Sequence, residues 1–334
     1  MRLVKKALSL VLVLVMIMTV VACGNKSAAT TGSASGTSTG SFKKITLASG
    51  GTSGTYYGFS GVIAQRLNET LKDKLKINVV STGASKVNVQ MIDDGDADIA
   101  IVQNDVMSYA YNATDMFSGS KPITSFSAIA SCYPESVQIV ANKAINSIEE
   151  LKGKKVSVGD AGSGTEFNAK QILEAYGMDI NSDIIKSNQS FADSCDALKN
   201  GTIDAAFVTA GHPTVAVTEL ASNFDFNILP VDQDHANQLI SKYGFYAPVT
   251  IEKETYPVLT SNVNTVAVMA TYIANNNLDE ETVYEFTKGL FEEKANFNHQ
   301  KAALLNIETG VSGIAIPFHS GAARYYKEQG KDVK

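Results

Sequence analysis

Two nine-residue stretches, GDADIAIVQ at 95–103 and GTIDAAFVT at 201–209, carry Gly, Asp, Ala and Val at the same offsets, 106 positions apart. Each leads from a segment of helical apolar spacing into a short apolar run, with the glycine placed to stop the helix. A second pair, Gly54 with Thr55 and Gly164 with Thr165, opens a helical pattern twice at a separation of 110. The elements also agree in order. Strands are expected at 43–49, 76–81 and 98–103 and again at 154–160, 183–187 and 204–209; helices are expected at 56–71, 86–94, 165–176 and 191–199. Strands alternating with helices imply a parallel sheet with helical crossovers. Gly-x-x-Asp-x-Ala is by itself a common helix-to-strand turn, but a repeated order of elements predicts an α/β chain of two similarly built lobes, each a mostly parallel sheet flanked by helices.

The N-terminus constrains location. Arg2, Lys5 and Lys6 precede an apolar run from Ala7 to Ala22 that ends in VVAC, the pattern of a lipoprotein signal peptide over 1–22 with lipid carried by Cys23. The run is shorter than the roughly 20 apolar residues of a spanning helix. Residues 24–41 hold one charge and no large apolar side chain, so 23–42 is expected to be a flexible tether with a reach of about 23 Å. The expected location is extracytoplasmic, lipid-anchored to the cell membrane. Removal of Arg2, Lys5 and Lys6 with the leader, and of no acid, takes the net charge from −6 to −9. An acidic, scattered balance argues against nucleic acid as a partner. Beyond Cys23 the cysteines are Cys132 and Cys195, which either pair or stay as buried thiols. His212, His235, His299 and His319 share no ligand-like spacing, so no metal and no other cofactor is expected.

In an open parallel sheet, ligands sit beyond the carboxyl ends of the strands, where loops enter helix N-termini. That edge supplies the candidate ligand-binding residues: Thr52, Gly54, Thr55, Tyr57, Ser81, Thr82 and Gln103 from the first lobe, and Ser163, Gly164, Thr165, Thr209 and Gly211 from the second. Helix N-termini leave N–H groups unpaired and carry partial positive charge, which suits a carboxylate or phosphate. GDAGSGT (159–165) comes near a phosphate-binding loop but lacks its lysine, and GGTSGT (50–55) lacks the dinucleotide pattern, so nucleotides are disfavoured. Beyond the leader the arginines are Arg66 and Arg324, neither on a strand-end loop, so an arginine clamp on a carboxylate is not expected at the cleft. A carboxylate is expected on the N–H groups of residues 163–165. No nucleophile elbow or triad spacing appears, Glu166 reads as a helix-dipole partner, and HSGAARYY (319–326) reads as a loop entering a helix; no enzyme is expected and no catalytic residue is assigned.

An ordered set of segments resembles the TAXI-type solute-binding subunits of TRAP transporters: ITLASGGTSGTYYGFSGVIAQRLNE, GASKVNVQMIDDGDADIAIVQND, SIEELKGKKVSVGDAGSGTEFNAKQIL, NGTIDAAFVTAGHPTVAV and IPFHSGAARYYKEQG, spanning residues 43–330. The resemblance implies a two-lobed periplasmic-binding-protein-like fold of type II, with hinge strands near 131–138 and 243–249. Lobe 1 is then 43–132 together with about 249–334, and lobe 2 is 133–248. It further implies capture of a small organic acid or amino acid, a glutamate-like carboxylate first, for delivery to the membrane permease subunits of a TRAP-type secondary transporter. A solute-binding lipoprotein of an ABC importer is the alternative. Tyr133, in CYPESVQIV, matches the family's aromatic at the hinge and joins the expected site. Ala84 and Lys86 stand where the family often has glycine and an acid.

Overall fold

The computed structural model describes residues 42–334; the leader, Cys23 and all but the last residue of the tether lie outside the described residues. The chain runs β1 (Lys43–Ala48), α1 (Thr55–Thr70), β2 (Leu75–Val80), α2 (Ser85–Asp94), β3 (Ile99–Gln103), α3 (Asn104–Asn112) and the long β4 (Phe126–Asn142). It continues through β5 (Lys155–Ser157), α4 (Gly164–Ala175), β6 (Ile185–Ser187), α5 (Phe191–Lys199), β7 (Ala205–Ala210), α6 (Val215–Ala221), β8 (Phe226–Leu229), α7 (Gln233–Tyr243) and β9 (Ala247–Ile251). A second long strand, β10 (Val263–Asn275), then returns, followed by α8 (Glu280–Glu292), the short α9 (Ile307–Gly310) and α10 (Ser320–Glu328). The strands form one ten-stranded sheet in the order β2-β1-β3-β10-β4-β7-β5-β6, with β9 added to β10 and β8 to β4.

At one end β1, β2 and β3 are parallel, and at the other β5, β6 and β7 are parallel, each set built by helical crossovers. Between them β4 and β10 run antiparallel from Phe126 opposite Asn275 to Ser136 opposite Ala267, with bulges after Ala270 and Tyr272. β4 then leaves β10 to pair with β7 and β8, and β10 pairs with β3 at one end and β9 at the other. Each long strand therefore belongs to both halves. The expected second hinge at 243–249 is corrected: those residues end α7 and begin β9, and the connecting strand is β10. Its thirteen residues are mostly buried, which a run such as VAVMATYIA satisfies by being apolar on both faces.

Apolar burial divides in the same way. Two clusters draw on residues 45–133 and 270–326, packed on the two faces of the first half of the sheet, and two draw on residues 137–268 around the second. The repeated glycine and aspartate have repeated tasks. Gly95 and Gly201 both adopt positive φ, 80° and 68°, ending α2 and α5. Asp98 then accepts the Thr46 N–H on Oδ2 at 2.8 Å and donates its own N–H to the Thr46 carbonyl at 3.0 Å. Asp204 does the same with Lys155, at 2.9 and 2.8 Å. In both halves the aspartate fixes the start of the outgoing strand against its parallel neighbour.

Cys132 and Cys195 are both free and buried, in different clusters, and burial pushes the Cys195 thiol up to about 12. The glycine of HSGAARYY answers to packing. His319 caps α10, its Nδ1 accepting the Gly321 N–H, while a Cβ on Gly321 would stand 2.2 Å from the Glu280 carbonyl and 2.6 Å from the Tyr284 nitrogen of α8. Backbone cannot give way there as a side chain does. Gly321→Ala is expected to destabilise the fold by about 1–3 kcal/mol, read as a lowered melting temperature; an unchanged melting temperature would show that α10 is free to shift.

Candidate functional site

The carboxyl ends of β3 and β7 and the loops that open α1, α2 and α4 enclose a cleft between the two halves, with about 510 Å³ between its walls, mouth included. Seven of the expected residues line it: Gly54, Thr55 and Gln103 from the first half, and Ser163, Gly164, Thr165 and Thr209 from the second. Gln103 and Thr209 hold matching places at the ends of the repeated strands, and Gln103 Oε1 and Thr209 Oγ1 are both buried without a partner among the described residues. The Gln103 amide lies against Gly164 so closely that a Cβ there would stand 1.9 Å from Oε1. Glycine at 164 is thus what lets the end of β3 approach the start of α4.

The helix starts supply donors. Gly164 and Thr165 begin α4 with N–H groups that have no backbone partner, as do Thr55 and Tyr56 in α1. The Ser163 N–H, expected to face the solute, instead donates to the Asp160 carbonyl at 3.0 Å, while Ser163 Oγ caps α4 by accepting the Glu166 N–H. Glu166 is spent locally, accepting from Gly162 N–H and Lys186 Nζ. Ala84, which also lines the cleft at the start of α2, has φ 67° and ψ −147°, a conformation suited to glycine and strained for alanine.

Six expected residues do not line the cleft. Thr52 is exposed and Tyr57 half-buried on α1. The Ser81 and Thr82 hydroxyls turn back to the carbonyls of Gly50 and Ser49, at 2.9 and 3.0 Å, and brace the first loop. Tyr133 is fully buried on β4, edge-on to Phe59 at 5.3 Å and against Gly211, its hydroxyl unpartnered. Gly211 contributes its carbonyl, which accepts Thr55 Oγ1 at 2.9 Å across the cleft. That bond takes the Thr55 hydroxyl away from a solute in this closed arrangement.

Tyr56, a candidate at the same strand end, also stands in the wall, and sequence reasoning missed Ser85, Glu135, Asp160 and Phe191 there. Glu135 is 2% exposed on β4, and Tyr56 donates its hydroxyl to Oε2 at 2.6 Å. Burial pushes the Glu135 carboxyl well above the usual range, against the Tyr56 hydrogen bond and the charge of Lys301, which pull it down. A lone acid within a seventeen-residue strand that is otherwise uncharged was the available signal. Among the described residues no Lys, Arg or His lines the cleft. Arg66 pairs with Glu293, and Arg324 with Glu280 and Glu281, on the outside of the first half.

Beside the cleft a buried polar group ties the halves together. Asn168 of α4 donates to Asp105 Oδ2 of α3 at 3.1 Å and to Tyr246 at 2.9 Å; Gln171 donates to Tyr109 at 3.0 Å and accepts from Tyr246 at 2.5 Å. Burial is the main cause that raises the Asp105 carboxyl to about 6, and hydrogen bonds from Val106 N–H and Asn168 oppose it. The Asn168 Oδ1 is left unpartnered beside it.

A model of the NMT1-like family matches residues 47–330. Among solved structures, a protein of Bordetella bronchiseptica RB50 superposes with a TM-score of 0.51 at 16% identity, covering 86% of this chain and 80% of its own. The periplasmic aliphatic sulphonate binding protein SsuA of Escherichia coli follows at 15% identity, 86% and 84% coverage and a TM-score of 0.45. GshT of Streptococcus mutans, from work on glutathione import with the cystine ABC importer TcyBC, shares 13% identity over 79% and 94% with a TM-score of 0.49. At these identities the likeness is one of fold alone, a mixed α/β fold.

Asp105 offers a pH test of the interlobe contact. Its folded pKa lies above the unfolded value, so ionising it costs folding free energy, a penalty absent below about pH 4 that grows until the pH passes about 6. Asp105→Asn removes that penalty, worth at most about 3 kcal/mol. The melting-temperature difference between variant and parent should be several degrees larger at pH 7.5 than at pH 5; a difference independent of pH would contradict the assignment.

Proposed function

The chain belongs to the NMT1-like family, and from its cleft we infer that it is a solute-binding protein that captures a small carboxylate or amino acid and hands it to a membrane importer. The observation that carries this reading is a cavity walled by both halves and lined by helix starts whose N–H groups have no backbone partner and by buried oxygens without a donor. A solute that touches Gln103 and Thr165 at once favours the closed form, because only that form offers both contacts. A carboxylate meets the N–H groups of Gly164, Thr165 and the start of α1, with partial charge at two helix ends in place of an arginine. On this reading the leader sends the protein outside the cytoplasm, lipid on Cys23 tethers it, and the two lobes correspond to the halves about β4 and β10.

Two importer classes fit. The TRAP reading rests on the ordered motifs and their TAXI-type resemblance, whereas the comparisons back an ATP-driven ABC importer better, the class named with GshT. Uptake that survives loss of the ion gradient but not of ATP would assign the ABC class; the reverse would assign TRAP.

Thermal denaturation against L-amino acids, small mono- and dicarboxylates, sulfonates and phosphonates tests the binding function itself. A true solute at a hundred times its Kd adds about 2.7 kcal/mol, a rise of several degrees. If no compound of the panel raises the melting temperature, the solute-binding reading fails.

A further inference from the structure

Glu135 is a buried acid that the closure of the cleft does not use. It lies where β4 passes from β10 to β7, and it lines the cavity. Only its Oε2 has a partner among the described residues, the Tyr56 hydroxyl, which leaves Oε1 open to the cavity. In the same wall are two buried unpartnered oxygens, Gln103 Oε1 and Thr209 Oγ1, and the half-buried acid Asp160. Lys301, the cation whose charge acts on Glu135, is engaged elsewhere: its Nζ donates to the His212 carbonyl at 2.5 Å, and it does not line the cleft. A buried acceptor without a donor costs about 1–3 kcal/mol, more when charged. A wall with two carboxyl groups, an amide oxygen and no basic side chain is complementary to a group that donates.

We propose that the solute carries a protonated amine and that Glu135 selects for it, Oε1 accepting from the ammonium with Gln103 Oε1 and Thr209 Oγ1 as further acceptors. The proposal rests on the solute-binding reading and narrows it to a zwitterion of the amino-acid type, whose carboxylate lies on the helix N-termini. Tyr56 is a positioning residue: by donating to Oε2 it turns the other oxygen toward the cavity. The opposite arrangement is a neutral Glu135 that donates its own proton to an anionic solute. Glutamine separates the two, since it keeps the size and a donor and removes the charge.

Isothermal titration of the full chain supplies the test. The titrants are L-glutamate, L-glutamine, L-aspartate, L-alanine and L-leucine, each beside its amine-free acid (glutarate, glutaramate, succinate, propionate, 4-methylpentanoate) and its N-acetyl derivative. At least one amino acid should bind the parent protein about thirty-fold or more tighter than both of its counterparts, the usual scale for a buried charge pair. Glu135→Gln should lower that affinity by a similar factor and leave the weak binding of the amine-free acid within about three-fold. An amine-free acid that binds the parent as tightly as its amino acid, or a Glu135→Gln protein that keeps amino-acid affinity, overturns the role of Glu135 and leaves solute binding standing. Should the variant fail to fold, the comparison on the parent protein decides alone. Absence of binding by every titrant strikes the solute-binding reading, and this inference with it.

Discussion

The pairing of β4 with β10 is the constraint on which the rest of the molecule depends. These strands alone among the described elements lie in both halves of the sheet, and they pair from Phe126 opposite Asn275 to Ser136 opposite Ala267. Everything that meets across the cleft is positioned by how they leave each other. The bulges after Ala270 and Tyr272 add local twist near the middle of this pair. Tyr133 and Glu135 share one face of β4 there by the two-residue period of a strand. The tyrosine is packed into the apolar layer, and the acid lines the cleft. On the proposed function, recognition and closure converge on one strand.

Closure without a solute has its own contacts. Thr55 reaches the Gly211 carbonyl, the Ala216 N–H donates to Ser53 at 3.3 Å, Gln103 rests on Gly164, and Asp105 with Tyr109 meets Asn168, Gln171 and Tyr246. Against these stand a raised Asp105, a raised Glu135 and several buried oxygens with no donor. On the proposed function such opposing terms would keep an open and a closed form close in free energy, the condition under which a solute moves the population by its differential affinity alone.

Much of the fold was legible because its signals are local. The glycine stop and the aspartate that follows it are set by backbone conformation and a hydrogen bond to the neighbouring strand, and both recur at the same offset. The starts of α1 and α4 fall at the Gly-Thr pairs for the same reason. What sequence reasoning misplaced depends on tertiary contact. Ser81 and Thr82 sit after a strand as ligand residues do, yet their hydroxyls find nearer partners in the adjoining loop. β10 was overlooked as a connector because a strand buried on both faces along most of its length has little alternation to announce it. Glu135 became part of the site through the packing of β4 beneath α1, and no spacing rule records that.

A distance between labels on the two halves tests the account most directly. Gln90 on α2 and Glu174 on α4 are exposed and lie on opposite halves. With spin labels at both, the distance distribution should hold two populations in the solute-free protein. Addition of the solute found by titration should collect them into the shorter one. A single distribution that the bound solute leaves unchanged would contradict the claim that the halves close around it.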